Sequence, residues 1–190
     1  MDHWKAAKKV LRYLQGTNNH MLTYKRFDHL EVIGYTDSDF AGSIDTKKST
    51  FGYVHILAEG AISWKSAKQS VIAASTMEAE FVACFDATVQ ANWLRNFISG
   101  LGVVDNIAKP LKIYCNNFTR VFFSKNDKYS KCAKHKELKY FVVKEEVEKN
   151  RVLIEHVSTE LMIADPLTKG LPPKVFTGHV KNMDIMCISE

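Results

Sequence analysis

The sequence predicts an α/β fold: a mixed five-stranded sheet, three antiparallel strands followed by two parallel ones, flanked by helices. Three observations carry that prediction. Apolar, β-branched and aromatic runs at residues 32–40 and 111–117 read as buried strands, and each breaks into polar side chains at its C-terminal end. Between them lie two further strand-like runs, 51–57 and 61–64, joined through Ala58-Glu59-Gly60. A segment of helical periodicity then runs from about residue 77 to 99, and later strand and helix signals alternate. A mixed sheet with helices on it accommodates that order economically.

The first strand organises the rest. Its side chains alternate, so Ile33, Tyr35, Asp37 and Asp39 share one face. Two acids at the end of an apolar face are costly unless something binds them, and a divalent cation is the usual partner. The plain alternative is a solvated turn. Tyr114-Cys115-Asn116 echoes Tyr35-Thr36-Asp37, and parallel neighbours would bring Asp37 and Asn116 side by side at their C-terminal ends, where open α/β sheets place ligand sites.

Around these strands the elements follow in order. Residues 2–15 form a basic amphipathic helix with Trp4, Ala7, Leu11 and Leu14 on one side, stopped by Gly16. Residues 21–24 suggest a short strand, and 70–74 an apolar segment ending at Ser75-Thr76. The long helix, capped by Ser75 or Thr76 and closed by Gly100, carries a stripe of Val82, Phe85, Val89, Trp93 and Phe97. Glu78 lies on that stripe and is expected to face the sheet, whereas Glu80 is expected to face water. A Glu in a first turn also serves as a partner for the helix dipole. A lysine-rich loop leads to a helix over 135–149 carrying Leu138, Phe141, Val142 and Val147, then a strand over 152–157. A helical segment from Ser158 reaches Asp165, where Pro166 breaks it. Pro172-Pro173 form a linker before a last short helix.

Composition narrows the function classes. At 190 residues and 46% hydrophobic, the chain suits one domain with a full core plus terminal additions. No apolar run is long enough to span a membrane, and the first residues lack an apolar signal core, so a cytoplasmic location is expected, with the nucleus as the alternative. The four cysteines show no metal-ligand spacing and read as reduced thiols. Residues 120–151 hold ten Lys and Arg against five Asp and Glu, while the remainder balances at sixteen each. The net charge of +5 therefore lies in one window, as a phosphate-docking surface requires or a solvated lysine-rich helix would also show. Asp37, Glu78 and Asp165, with Asn116 among them, are then the acids expected to converge on divalent cations beside that window.

Motifs distributed along nearly the whole chain carry a resemblance. Gly-Tyr-Thr-Asp-Ser-Asp-Phe-Ala-Gly (34–42), Lys-Ser-Thr-Phe-Gly-Tyr-Val (48–54), Ile-Ser-Trp-Lys-Ser-Ala-Lys-Gln (62–69), Ser-Thr-Met-Glu-Ala-Glu-Phe (75–81), Lys134-His135 and Ile-Ala-Asp-Pro-Leu-Thr-Lys (163–169) resemble the ribonuclease H domain of plant copia-type retrotransposon polyproteins. The resemblance implies a ribonuclease H-like domain over 30–170, preceded at 1–29 by a remnant of the reverse-transcriptase tail and followed by a helical tail over 171–190. It implies an endoribonuclease that uses two Mg²⁺ (or Mn²⁺) ions to cut RNA in an A-form-like duplex, leaving a 5′-phosphate and a 3′-hydroxyl. Asp37 would bridge both ions, Glu78 would hold one and Asp165 the other. Where the family has Cys-Asp-Asn this chain has Cys115-Asn116-Asn117, so the fourth metal-holding position is an amide, which keeps a carbonyl oxygen and loses the charge. An engineered change and a natural weakening of the nuclease both produce that residue.

Partners follow from the same resemblance. Lys134, His135, Lys136, Lys139 and the lysines of 125–131 are expected on backbone phosphates, with Ser75, Thr76 and Asn117 along the minor groove where 2′-hydroxyls are read. RNA–DNA hybrid is the ancestral substrate. Double-stranded RNA shares the wide minor groove, which suggests an antiviral role for a domain separated from its reverse transcriptase. A non-catalytic duplex-binding module is the competing expectation. A protein partner or self-association through the N-terminal helix is a third.

Overall fold

The computed structural model describes residues 2–26, 30–43, 45–102, 110–116 and 134–188, with side chains from Leu138 onward in the last segment. Helix α1 (Asp2–Gly16) and strand β1 (His20–Leu22) precede the central strands β2 (Ile33–Asp39), β3 (Thr50–Leu57) and β4 (Gly60–Lys68). Then come α2 (Thr76–Gly100), β5 (Leu111–Cys115), α3 (Lys134–Glu148) and β6 (Val152–His156). Two 3-10 turns (Thr159–Leu161 and Asp165–Leu167), α4 (Pro173–Lys181) and β7 (Ile185–Cys187) complete the described chain.

The five central strands stand in the order β4-β3-β2-β5-β6. Strands β2, β3 and β4 run antiparallel, whereas β5 joins β2, and β6 joins β5, in parallel register. The mixed five-stranded sheet predicted above is thus the sheet observed. Strand β4 is longer than its apolar run suggests. Residues 70–74 add no strand, and Val71 and Ile72 there are exposed.

Alternation along each strand gives the sheet two covered faces. One packs on α2 and α3, with Leu111, Ile113, Val152 and Ile154 against Ala83, Ala87 and Leu94. The other packs on the C-terminal segment, where Val54 and Ile56 meet Met162, Ile163 and Met183. Strand β1 pairs with β7, and Thr23 donates its N–H to the Asp184 carbonyl, so the expected tail and the expected N-terminal remnant close over this second face together. Helix α1 lies outside both layers and buries no residue.

Helix α2 differs from the sequence expectation in its phase. Val82 is buried and Phe85 half-buried, but Val89, Trp93 and Phe97 are exposed, the last two stacked on each other with centroids 5.0 Å apart. At 100° per residue the stripe of Val82, Phe85, Val89, Trp93 and Phe97 is centred roughly 140° around the helix from the line that meets the sheet. The buried line instead mixes three- and four-residue steps through Glu80, Ala83, Ala87, Ala91, Leu94 and Ile98. Its small side chains let the backbone seat closely on the sheet. In α3, Leu138 and Phe141 are likewise exposed, and the buried positions are Val143 and Glu146. The segment from Ser158 to Asp165 is two separate 3-10 turns, with Met162 between them leaving helical geometry at ψ 89.

Candidate active site

The register that pairs Thr36 with Cys115 carries Asp37 and Asn116 onward as neighbours at the ends of two parallel strands. Asn116 Nδ2 donates to Asp37 Oδ1 at 2.9 Å. Both lie on the face closed by the C-terminal turns. Opposite Asp37 on β3 stands Gly52, where a Cβ would fall 2.7 Å from the Cβ of Leu167 and 3.0 Å from Thr168 Cγ2. The missing side chain is what lets the turn of residues 165–169 sit directly on the sheet. Ser66 pins that turn from β4, donating its hydroxyl to the Leu167 carbonyl at 2.6 Å.

The turn brings three side chains over Asp37. The Thr168 hydroxyl donates to Asp37 Oδ2 at 2.5 Å. Lys169 Nζ stands 3.0 Å from Asp165 Oδ2 and 3.6 Å from Asp37 Oδ2, bridging the two carboxylates. Asp37 is 1% and Asp165 2% exposed. Burial first, and then the Asp37 charge beside it, pushes the Asp165 carboxyl up to about 6, with Lys169 opposing both. Burial would lower the Lys169 ammonium, but the Asp37 and Asp165 carboxylates outweigh it and hold it above its ordinary value.

The two glutamates of α2 do not stand as expected: Glu80 reaches the strand, and Glu78 is half-buried at the helix start. Ser75 caps the helix by accepting the Glu78 N–H at 3.2 Å, and Glu78 Oε2 reaches back to accept the Ala74 N–H at 2.9 Å. Glu78 thereby serves the helix start. Glu80 is 3% exposed, not solvated, and its Oε1 accepts the backbone N–H of Ser38, the residue after Asp37, at 3.2 Å. The signal was present in the chain: Ser75-x-x-Glu78 is a capping box, which assigns the first glutamate to the cap. Gln69 tightens the same corner, donating to the Ala79 carbonyl and to Ser38 Oγ.

Other expected site residues are distributed differently. Ser75 is half-buried at the α2 cap, and Thr76 is exposed beside it. Lys139 is described with its ammonium 5.0 Å from the centroid of the Phe85 ring. Asn117, the side chains of Lys134, His135 and Lys136, and the lysines of 125–131 lie outside the described residues.

Oxygen donors of this kind suit a hard divalent cation. Asp165 Oδ1 is buried with no hydrogen-bond partner, a costly state that an ion between the two carboxylates would relieve. Asp37 and Asp165 fit one such ion; Asn116 turns its amide nitrogen to Asp37, so its oxygen would join them only after the amide turns over. Among the described residues no three acidic, histidine or cysteine side chains gather as a metal-binding group. No described helix is long and apolar enough to cross a membrane.

No protein-family model matches the chain. It is 37% identical over 175 residues to the retrovirus-related Pol polyprotein from transposon TNT 1-94 of Nicotiana tabacum, covering 92% of this chain and 13% of the polyprotein. The corresponding polyprotein from transposon RE2 of Arabidopsis thaliana is 33% identical over 185 residues, covering 97% and 13%. The chain thus spans about an eighth of these relatives' length. Among solved structures, LC11-RNase H1 in complex with an RNA/DNA hybrid superposes with a TM-score of 0.51 at 20% identity, covering 72% of this chain and 93% of that one. A second LC11-RNase H1 structure, of the protein isolated from compost, gives 0.52 at 18%, covering 73% and 92%. By sequence, the chain is homologous to a segment of plant retrotransposon Pol polyproteins, and its fold is ribonuclease H-like.

Proposed function

We propose that this chain is a divalent-cation-dependent endoribonuclease acting on RNA within an A-form-like duplex, its chemistry attenuated by Asn116. The observation that carries the reading is the convergence of Asp37, Asn116 and Asp165 where two parallel strands end. Asp37 and Asp165 would hold an Mg²⁺ or Mn²⁺ ion, with Asn116 offering a neutral oxygen and Glu80 anchoring the backbone beside Asp37. A divalent ion there supplies a Lewis acid for a phosphodiester and lowers the pKa of a water. The chain's own part is to hold the oxygens in place, exclude bulk water from Asp37 and present the basic window of 120–151 to phosphates.

Labelled RNA–DNA hybrid, double-stranded RNA and double-stranded DNA, incubated with Mg²⁺ or Mn²⁺, test this. Asn116→Asp is expected to raise cleavage by roughly tenfold or more, and Asp37→Asn in that background to remove it. Cutting of the hybrid without double-stranded RNA would end the double-stranded RNA and antiviral reading alone. No cleavage by Asn116→Asp on any duplex would end the nuclease reading.

One observation favours a second reading, a non-catalytic duplex-binding module. Lys169 already offsets the charge of the acidic pair from within, and Asn116 donates a hydrogen bond to it. That reading expects duplex binding that is unchanged by chelator and by Glu80→Gln.

A further inference from the structure

We propose that Lys169 is a resident counter-cation: its ammonium holds Asp37 and Asp165 together without any divalent ion, and an incoming ion must displace it. The proposal rests on those two acids being the ion-holding pair, but it does not require that cleavage occurs.

Two buried carboxylates cannot share a pocket as anions unless positive charge or hydrogen-bond donors meet them. Here the donors are accounted for. Asp37 receives Asn116 and Thr168, which are neutral, so Lys169 is the cation spanning the described pair at 3.0 and 3.6 Å. Its position is set by the chain. The Thr168 N–H and the Lys169 N–H both donate to the Asp165 carbonyl, at 3.0 and 3.2 Å, so the turn that delivers the acid also delivers its counter-charge. The Lys169 side chain keeps 34% of its surface exposed, against 1% and 3% for the acid side chains. The Lys169 side chain therefore reaches water, and its flexible stem can swing the ammonium out while the acids stay in place. Lysine suits this role, being a compact charge on a flexible stem where arginine would bind as a rigid fork.

The test is thermal melting of the full chain and two variants, in chelator and in millimolar Mg²⁺. Wild type is expected to melt at the same temperature in both. Lys169→Gln is expected to lose roughly 3–8 °C in chelator and to regain most of it with Mg²⁺. The double variant Asp165→Asn with Lys169→Gln, which removes both charges, is expected to melt near wild type in chelator and to ignore Mg²⁺. Calorimetric titration with Mg²⁺ is expected to show roughly tenfold tighter binding to Lys169→Gln than to wild type. If Lys169→Gln melts like wild type in chelator, the proposal fails. It fails equally if the loss is restored neither by Mg²⁺ nor by Asp165→Asn, since that marks a packing role. Should Lys169→Gln not fold in chelator, folding on addition of Mg²⁺ supports the proposal, and continued failure in Mg²⁺ overturns it. Duplex cleavage is scored separately with Asn116→Asp: its inactivity on every duplex sinks the nuclease reading alone, and an Mg²⁺-insensitive Lys169→Gln sinks this one alone.

Discussion

The two faces of the central sheet each bury titratable groups, and they do so by opposite means. Against α2, His55 is fully buried between Gly34, whose missing Cβ leaves the imidazole its room, and the edge of Tyr53. Neither ring nitrogen makes a well-formed hydrogen bond. Burial, weakly opposed by the Ala87 backbone, pushes its pKa down to about 4, so the ring is neutral at physiological pH. Against the C-terminal turns, Asp37 and Asp165 are as deeply buried, yet they sit among an amide, a hydroxyl and an ammonium. Burial alone therefore does not mark a working group. What sets the acids apart is that the ends of β2 and β5 and the turn of 165–169 aim polar groups at one point.

The comparison breaks most visibly at α2, the helix whose glutamates have separate duties. In the Asn116→Asp background, Glu80→Gln is expected to lower hybrid cleavage by about a hundredfold, because it loosens the backbone next to Asp37. Glu78→Gln should stay within a few-fold and cost no more than about 1 kcal/mol of stability, as loss of a cap does. Equal effects in a steady-state cleavage assay would mean the two carboxylates are not divided in this way.

Nearly as large is the acid response of the other face. The folded state keeps His55 neutral to about pH 4, whereas the unfolded chain takes up its proton near 6.5. The unfolded state therefore binds more protons between those values. Stability from this group is complete above pH 6.5 and falls by about 3 kcal/mol as pH drops toward 4. Urea unfolding across that range should show the slope in wild type and a flatter profile in His55→Gln.

Gly52→Ala sharpens the same contrast at smaller scale. The added Cβ meets Leu167 at a distance no ordinary contact allows, so the turn must lift from the sheet. We expect a loss of about 1–3 kcal/mol, with Lys169→Gln costing less in this background because the bridge is already disturbed. Denaturant melts of the two single variants and the double variant measure that coupling. Smallest of all, Trp93→Ser on the outer side of α2 should change stability by less than about 0.5 kcal/mol, while Ala87→Leu on its inner side should cost about 1–3 kcal/mol.

Much of this was legible in the chain before any coordinates. Asp37 and Asn116 are found by strand logic alone, because an alternating pattern that ends in a polar side chain shows both face and position. Asp165 was placed among the acids by the order of the elements, and its role came from the resemblance, since nothing local to Ala164-Asp165-Pro166 says where that turn lands. Glu80 was misread because a helix hydrophobic on several sides offers more than one candidate stripe, and the large side chains of Val89, Trp93 and Phe97 drew the phase toward solvent. Thr168 and Lys169 were visible as part of a motif but carried no sign of their direction.

By itself, the sequence determined the strands and the capping box at Ser75 and Glu78, because each is written in neighbouring residues or in a short period, whereas reading Asn116 as a lost carboxylate rests on the resemblance. Only the tertiary structure decided that Thr168 reaches an acid 131 residues away, that Lys169 bridges the pair, and that Glu80 faces the strand. Those outcomes depend on how closely α2 and the C-terminal turn seat on the sheet. That closeness comes from small residues, Ala83, Ala87 and Gly52, whose importance lies in the space they leave for distant partners.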